Sequence, residues 1–305
     1  MKLIRELGEE VLIARITRSI RTDSAVLRGI GDDCAVLAGA GKKVNLFASD
    51  MLVEGVHFFR SASPEAIGWK ALAVNVSDVA AMGGLPRHAV ISLGLPPSTP
   101  VAFVEGLYRG LRRCAGRFGV NLVGGDTDRC PHVILDVAIL GEAQRQQVVY
   151  RSGARPGDWI LVTGRLGGAV RSGRHLTFTP RVREAQALLR QGRLRAMIDL
   201  SDGLGPDLIR ICEASHVSAV LEAASIPRHA GCSLEQALTE GEDFELLMTA
   251  SPAEAKQLLR WASKRFACGL HRIGCILPRR GRTDIQLRTP PGMKPPRSLT
   301  GFRHF

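Results

Sequence analysis

Apolar side chains at Leu3, Ile4, Leu7, Val11, Leu12 and Ile16 recur at helical spacing and predict an amphipathic, packed helix over residues 3–19. Val44–Ser49 then reads as a strand ending at Asp50. Residues 64–84 carry helix formers and apolar groups on almost every face, the pattern of a buried helix, and Asp78 stands in its middle. Residues 88–96 predict a strand, and Pro100–Phe118 has helical spacing closed by Gly119 as a C-cap. An apolar strand from Val120 runs into Gly124, Gly125 and Asp126, and 132–141 returns as another strand. Polar, turn-rich residues around 142–158 predict a boundary between domains 1–145 and 146–305. Beyond it, DWILVTGRLGG (158–168) reads as strand, turn and glycine-rich loop, and roughly 181–194 as a helix. A strand ending at Asp199 leads into the turn Ser201-Asp202-Gly203 and a helix near Pro206. A helix over 252–266 and strands near 271–277 and 284–288 complete the pattern. Strands alternating with helices predict an α/β (α+β) fold of two domains.

A carboxylate removed from water costs several kcal/mol or neutralises itself unless a cation or good hydrogen bonds meet it. Something positive is therefore expected to face Asp78, unless Ser77 or Asp78 merely caps a second helical turn from Val79. Asp33, Asp50, Asp126, Asp199 and Asp202 also stand within or beside apolar runs. Six carboxylates so placed suit hard cations, because Mg²⁺ prefers oxygen ligands and binds through a few carboxylates and substrate phosphates. Of the adjacent pair Asp32 and Asp33, one is expected to face a ligand and the other to serve the local backbone. Glycines 124 and 125 allow close approach to the backbone, and the helix start near Ser201 suits either an anion on its free N–H groups or plain capping.

Composition narrows the classes. With 45% apolar, 23% charged and 5% aromatic residues, the 305-residue chain reads as globular rather than disordered or fibrous. No apolar run reaches the roughly 18 residues of a membrane helix, and the start, MKLIRELGEE, lacks the features of a secretory signal. A cytoplasmic protein is expected. The seven cysteines form no CxxC pair and read as reduced thiols; HExxH is absent, so a zinc site has no support. Gly39-Ala-Gly41-Lys42 is followed by Lys43, not Ser or Thr, and is no Walker motif. The net charge of +12 favours anionic partners, but its basic residues are dispersed rather than gathered into a nucleic-acid track.

The segments GIGDDCAV (29–36), SDMLVEGVHF (49–58), KALAVNVSDVAAMGG (70–84), LVGGDT (122–127), YRSGARPGDWILVTG (150–164), IDLSDGL (198–204), GEDFELL (241–247) and GFRHF (301–305) occur in this order. Together they resemble the thiamine-monophosphate kinase family, within the superfamily of aminoimidazole ribonucleotide synthetase. The resemblance implies ATP-dependent phosphorylation of thiamine monophosphate, and a homodimer whose N-terminal sheets join into an intersubunit barrel. It places several Mg²⁺ ions on Asp33, Ser49, Asp50, Asp78, Asp126, Asp199 and Asp202. It places ATP against Tyr108, Gly125, Asp126, Arg151 and Ser201, and thiamine monophosphate against His57, Glu242 and Phe302. Asp78, Asp126, Arg151 and Asp202 are the implied catalytic set. Residues 163–180 are shorter than usual for the family, and Asp128, Phe244 and Phe302 depart from its common residues. A sister enzyme acting on another small acceptor is the alternative; a basic nucleic-acid-binding protein is a remoter one.

Overall fold

The computed structural model describes residues 3–292 and residue 301. Helices α1 (Ile4–Leu7) and α2 (Glu9–Thr17) precede strands β1 (Val26–Arg28), β2 (Ala35–Ala38) and β3 (Lys43–Val53). Then come α3 (Pro64–Ala81), β4 (Leu85–Leu95), α4 (Val101–Phe118), β5 (Asn121–Arg129) and β6 (Ile134–Gln144). The second half runs β7 (Trp159–Thr163), α5 (Val182–Gln191), β8 (Ala196–Asp199), α6 (Leu204–Ala214), β9 (Val217–Glu222) and α7 (Leu234–Thr239). It closes with β10 (Leu246–Ala250), α8 (Pro252–Ala262), β11 (Leu270–Pro278) and β12 (Ile285–Arg288).

The strands form two six-stranded sheets, in the orders β1-β2-β3-β6-β4-β5 and β12-β9-β11-β7-β10-β8. Both are antiparallel except at one end, where β5 runs parallel to β4 and β12 parallel to β9. This is a mixed α/β architecture with one sheet in each half of the chain.

Helix α3 belongs to both halves. Pro64 opens it at the first turn, where its missing N–H costs nothing. Ile67, Leu72, Val76 and Val79 sink fully into the core of the first sheet, and Ala81 into a second core with Leu161 and Leu188. Each large apolar side chain so buried contributes about 1.5–3 kcal/mol. Across the helix pair, a Cβ on Gly68 would lie 1.9 Å from the carbonyl oxygen of Leu107, and one on Gly110 of α4 1.9 Å from that of Glu65. The two backbones touch because neither position carries a side chain. Helix α3 is continuous through Ser77 and Asp78, which removes the reading of those residues as caps of a second turn. Gly119 ends α4 in the left-handed conformation, with its N–H on the Ala115 carbonyl, as its sequence position predicts.

Several expectations need correction. The N-terminal helix is broken at Gly8, whose φ is +75°, and it packs only in part: Leu3, Ile4, Val11 and Ile16 are exposed, while Leu7 and Leu12 are half-buried. Strand β3 does not end at Asp50 but continues to Val53, because it pairs with β6 along its whole length. Asp126 likewise sits inside β5, which pairs with β4 as far as Arg129. Between β7 and α5 the short segment holds only a 3-10 turn at Arg174–Leu176. No helix among the described residues is long and apolar enough to cross a membrane.

Candidate active site

Four elements from both halves bring carboxylates into one cavity of about 680 Å³. Asp33 comes from the loop between β1 and β2, Asp78 from the last turn of α3, and Asp199 from the end of β8; each offers an oxygen within 4.8 Å of the others. Asp50 joins them because the side chains of β3 alternate. Val44, Leu46 and Leu52 of that series are buried, so the acid occupies a core-facing place in an otherwise apolar row.

The cation expected opposite Asp78 is not found among the described residues: what faces Asp78 is Asp50, Asp199 and Asp33. Burial, then the charge of Asp50, then those of Asp199 and Asp33 hold the Asp78 carboxyl well above its usual range. Asp199 is raised likewise, by burial first and Asp33 next. Burial also raises Asp50, which hydrogen-bonds to Asp78. So close a cluster cannot be fully ionised without cations from solution.

Asp33 is divided. Its Oδ1 lies 2.6 Å from the Arg151 guanidinium, while its Oδ2 is buried with no hydrogen-bond partner among the described residues. An orphaned carboxylate oxygen, aimed into an all-oxygen donor set, fits a hard divalent cation. Its neighbour Asp32 has the local role expected of one of the two, accepting from the Arg151 backbone N–H at 2.6 Å and from Arg28 Nε at 2.7 Å.

On the same cavity, Lys70, Val74 and Asp78 present one stripe of α3 at i, i+4, i+8. The Lys70 ammonium is fully buried, 2.6 Å from Glu242 Oε2 and 2.9 Å from the His57 carbonyl, to which it donates. Glu242 and Phe244 both have positive φ, +59° and +49°, in the loop before β10, and the Glu242 N–H donates to the Ser201 carbonyl at 2.7 Å. That left-handed kink puts Glu242 and Phe244 on the cavity wall; Phe244 stacks on Phe178 with centroids 4.1 Å apart. The His57 Nδ1 accepts from the Val53 N–H at 3.0 Å. Asp202 lines the cavity and pairs with Arg210 at 2.5 Å, which also holds the buried Asp207.

Asp33, Asp50, His57, Asp78, Arg151, Asp199, Ser201, Asp202 and Glu242 thus share one cavity. Ser49 lines it too, yet its hydroxyl donates to Asp136 at 2.9 Å. Tyr108 on α4, and Gly125 and Asp126 on β5, stand apart from it within a single chain. They belong to the opposite margin of the first sheet, where the Asp126 carboxylate accepts the Thr127 N–H. Phe302 lies outside the described residues. Sequence reasoning passes over Lys70, Arg210 and Asp207 as site residues, whereas Phe244, noted there as a departure from the family's common residues, lines the cavity. A lone lysine in a helix apolar on all faces was the readable signal for Lys70.

Beside the cavity, burial pushes the Asp243 carboxyl up to about 7, against the Gly167 N–H at 2.8 Å and Arg174 at 3.5 Å. A folded pKa above the unfolded one stabilises the fold fully below about pH 4, and that contribution is lost as pH rises through 7. Asp243→Asn is therefore expected to flatten the pH dependence of Tm: wild type loses stability relative to the variant between pH 4 and 7, and the gap is constant above. Parallel slopes in thermal unfolding would contradict this.

Comparison with known proteins agrees with this geometry. Residues 31–143 match the family described as AIR synthase related protein, N-terminal domain, and residues 155–283 its C-terminal domain. A thiamine-monophosphate kinase of Aquifex aeolicus is 36% identical, over 81% of this chain and 87% of its own. One of Escherichia coli K12 is 37% identical, over 79% and 82%. A solved structure described as AaThiL complexed with AMPPCP and TMP superposes with a TM-score of 0.84 at 32% identity, covering 100% of this chain and 99% of that one. With both family domains in order and curated relatives matched over most of its length, the chain belongs to the thiamine-monophosphate kinase family.

Proposed function

We propose that the protein transfers the γ-phosphoryl group of ATP to the phosphate of thiamine monophosphate, forming thiamine diphosphate. The observation that carries this reading is the convergence of Asp33, Asp50, Asp78 and Asp199 on one cavity without enough cationic side chains to neutralise them. The relative bound to AMPPCP and TMP supports the choice of donor and acceptor.

Donor and acceptor both carry phosphate, so charge is the main obstacle to their meeting. Magnesium, held by Asp33, Asp50, Asp78, Asp199 and Asp202, supplies charge neutralisation and alignment when bound. The residues of the chain do the rest. Arg151, anchored on Asp33, presents a guanidinium to phosphate oxygens, and the Ser201 turn supplies hydrogen bonds to ATP. His57, Glu242 and the aromatic Phe244 hold thiamine monophosphate, a cationic ring stacking well on a phenyl face. The second pKa of a phosphate monoester is about 6, so the attacking oxygen is already largely deprotonated and no strong base is required. Positioning then accounts for most of the rate.

The protein works as a cytoplasmic homodimer in this reading, with domains near 1–145 and 146–305. The nine-residue β5 is an edge strand whose outer side has no partner among the described residues, and Val123 on it is 60% exposed. Such an edge is a template for pairing with a second copy, which would continue the sheet into a barrel. The roles of Tyr108, Gly125 and Asp126 toward ATP and metal depend on that second copy. Val123→Lys is expected to yield monomer in sedimentation at micromolar concentration while wild type remains dimeric. A dimeric variant would remove β5 from the interface.

The reading is tested with purified protein, ATP, Mg²⁺ and thiamine monophosphate, followed by chromatography. Thiamine diphosphate appearing in proportion to enzyme supports it. A folded protein that turns over ATP only with another acceptor would replace it by a sister activity.

A further inference from the structure

A second cavity, about 740 Å³, lies outside the candidate active site. One wall is the linker that joins the two sheets, including Tyr150 and Arg155. The other is the end of α5 and the turn into β8, with Arg190, Arg193 and Arg195. Arginines at the active-site end of this half are paired with acids: Arg174 with Asp243, Arg181 with Glu245, Arg210 with Asp202 and Asp207. Here only Arg195 is, with Asp158 at 2.7 Å. No carboxylate pairs with the side chains of Arg155, Arg190 or Arg193 among the described residues. The one acid lining the cavity, Glu254, accepts the backbone N–H of Arg193 at 3.2 Å.

We propose that this cavity binds a small polyphosphate, free or as part of a nucleotide. Guanidinium groups match phosphate oxygens in pairs, and three unanswered cations set against one acid suit an anion of two or more negative charges. The site is concave and holds Tyr150 as its one aromatic residue, where a nucleic-acid track requires a series of stacking platforms. Occupancy reaches the reaction through the linker. The Tyr150 carbonyl accepts the Met197 N–H at 3.0 Å, and the next residue, Arg151, is the one that grips Asp32 and Asp33. A ligand between the arginines therefore fixes the chain one residue from the phosphate-facing guanidinium.

The test is calorimetric titration of tripolyphosphate, and separately of ATP, into the full chain in EDTA, where the uncompensated carboxylates of the active-site cavity repel both. About one equivalent is expected to bind. Affinity should fall at least about tenfold in Arg190→Ser/Arg193→Ser. It should stay within about twofold in Asp78→Asn and in Arg112→Ser/Arg280→Ser, which removes two arginines that are as exposed as Arg190 and Arg193 but line no part of this cavity. Tighter binding of ATP than of tripolyphosphate, lost in the same double variant, supports the proposal with a nucleotide as the source. The reverse order supports it with free polyphosphate. Absence of binding, equal loss in both arginine pairs, or tighter binding of an RNA oligomer than of either probe overturns it.

Discussion

Asp78→Asn is expected to abolish phosphoryl transfer while raising the stability of the metal-free protein. The substitution keeps the shape of the side chain and removes one negative charge from a cluster that also holds Asp33, Asp50 and Asp199. In the absence of cations that charge is only a burden, since burial and three neighbouring acids oppose its ionisation. The metal-free variant should therefore melt several degrees higher, at about 4 °C or less per kcal/mol for a chain of this size. With Mg²⁺ the order changes. Cations that bind only the folded state add stability by mass action, and a site short of one carboxylate gains less. The Mg²⁺-induced rise in Tm should shrink in the variant, and turnover should fall by at least about 10²–10³-fold, the effect of losing one preorganised electrostatic partner. Calorimetric melts with and without Mg²⁺, run beside the chromatographic assay, separate the two effects. Product at the wild-type rate would remove Asp78 from the centre of the chemistry.

Lys70→Met is expected to be severely destabilising, by about 3–5 kcal/mol, because it leaves Glu242 partly buried opposite no cation. Burial already raises the Glu242 carboxyl above its usual range, and the charge of Lys70 is what chiefly opposes that rise. The double variant Lys70→Met/Glu242→Gln should regain much of the loss, since it removes the stranded charge. Whatever stability returns, the KM for thiamine monophosphate should stay high, because Lys70 fixes both Glu242 and the backbone of His57. Lys70→Arg, longer and planar, should fold better than the methionine variant yet keep a raised KM. Denaturant melts and initial rates decide the matter: a methionine variant as stable as wild type would show that the pair contributes nothing.

Much of this was legible in the residues. The burial of α3, the end of β8 at Asp199 and the glycine cap of α4 follow from patterns that depend on local sequence alone. The carboxylates were recognisable as misplaced in apolar runs, and that is why Asp33, Asp50, Asp78 and Asp199 could be singled out. What lay opposite them was not. The local pattern required a compensating charge near Asp78, but only the three-dimensional arrangement reveals that its neighbours are other acids and that the chain's own lysine serves Glu242. Asp126 reads in sequence like its counterparts, yet strand order puts β5 at the far margin of the sheet, a long-range property no spacing encodes. The exposed apolar face of α1 and α2 likewise has helical periodicity but no covering layer among the described residues.

The close approach of α3 and α4 at Gly68, against Leu107, and at Gly110, against Glu65, extends the map of sensitive positions well beyond the cavity. Even a methyl group at either place would push α3 and α4 apart, since the carbonyl it meets is backbone and cannot turn aside. Asp78, Lys70 and Ser77 ride on that helix, and Ser77 reaches Asp199 at 2.5 Å. A genetic screen for loss of the activity should therefore return alanine at Gly68 and Gly110 among the aspartates, as lesions of alignment in residues that meet neither metal nor substrate.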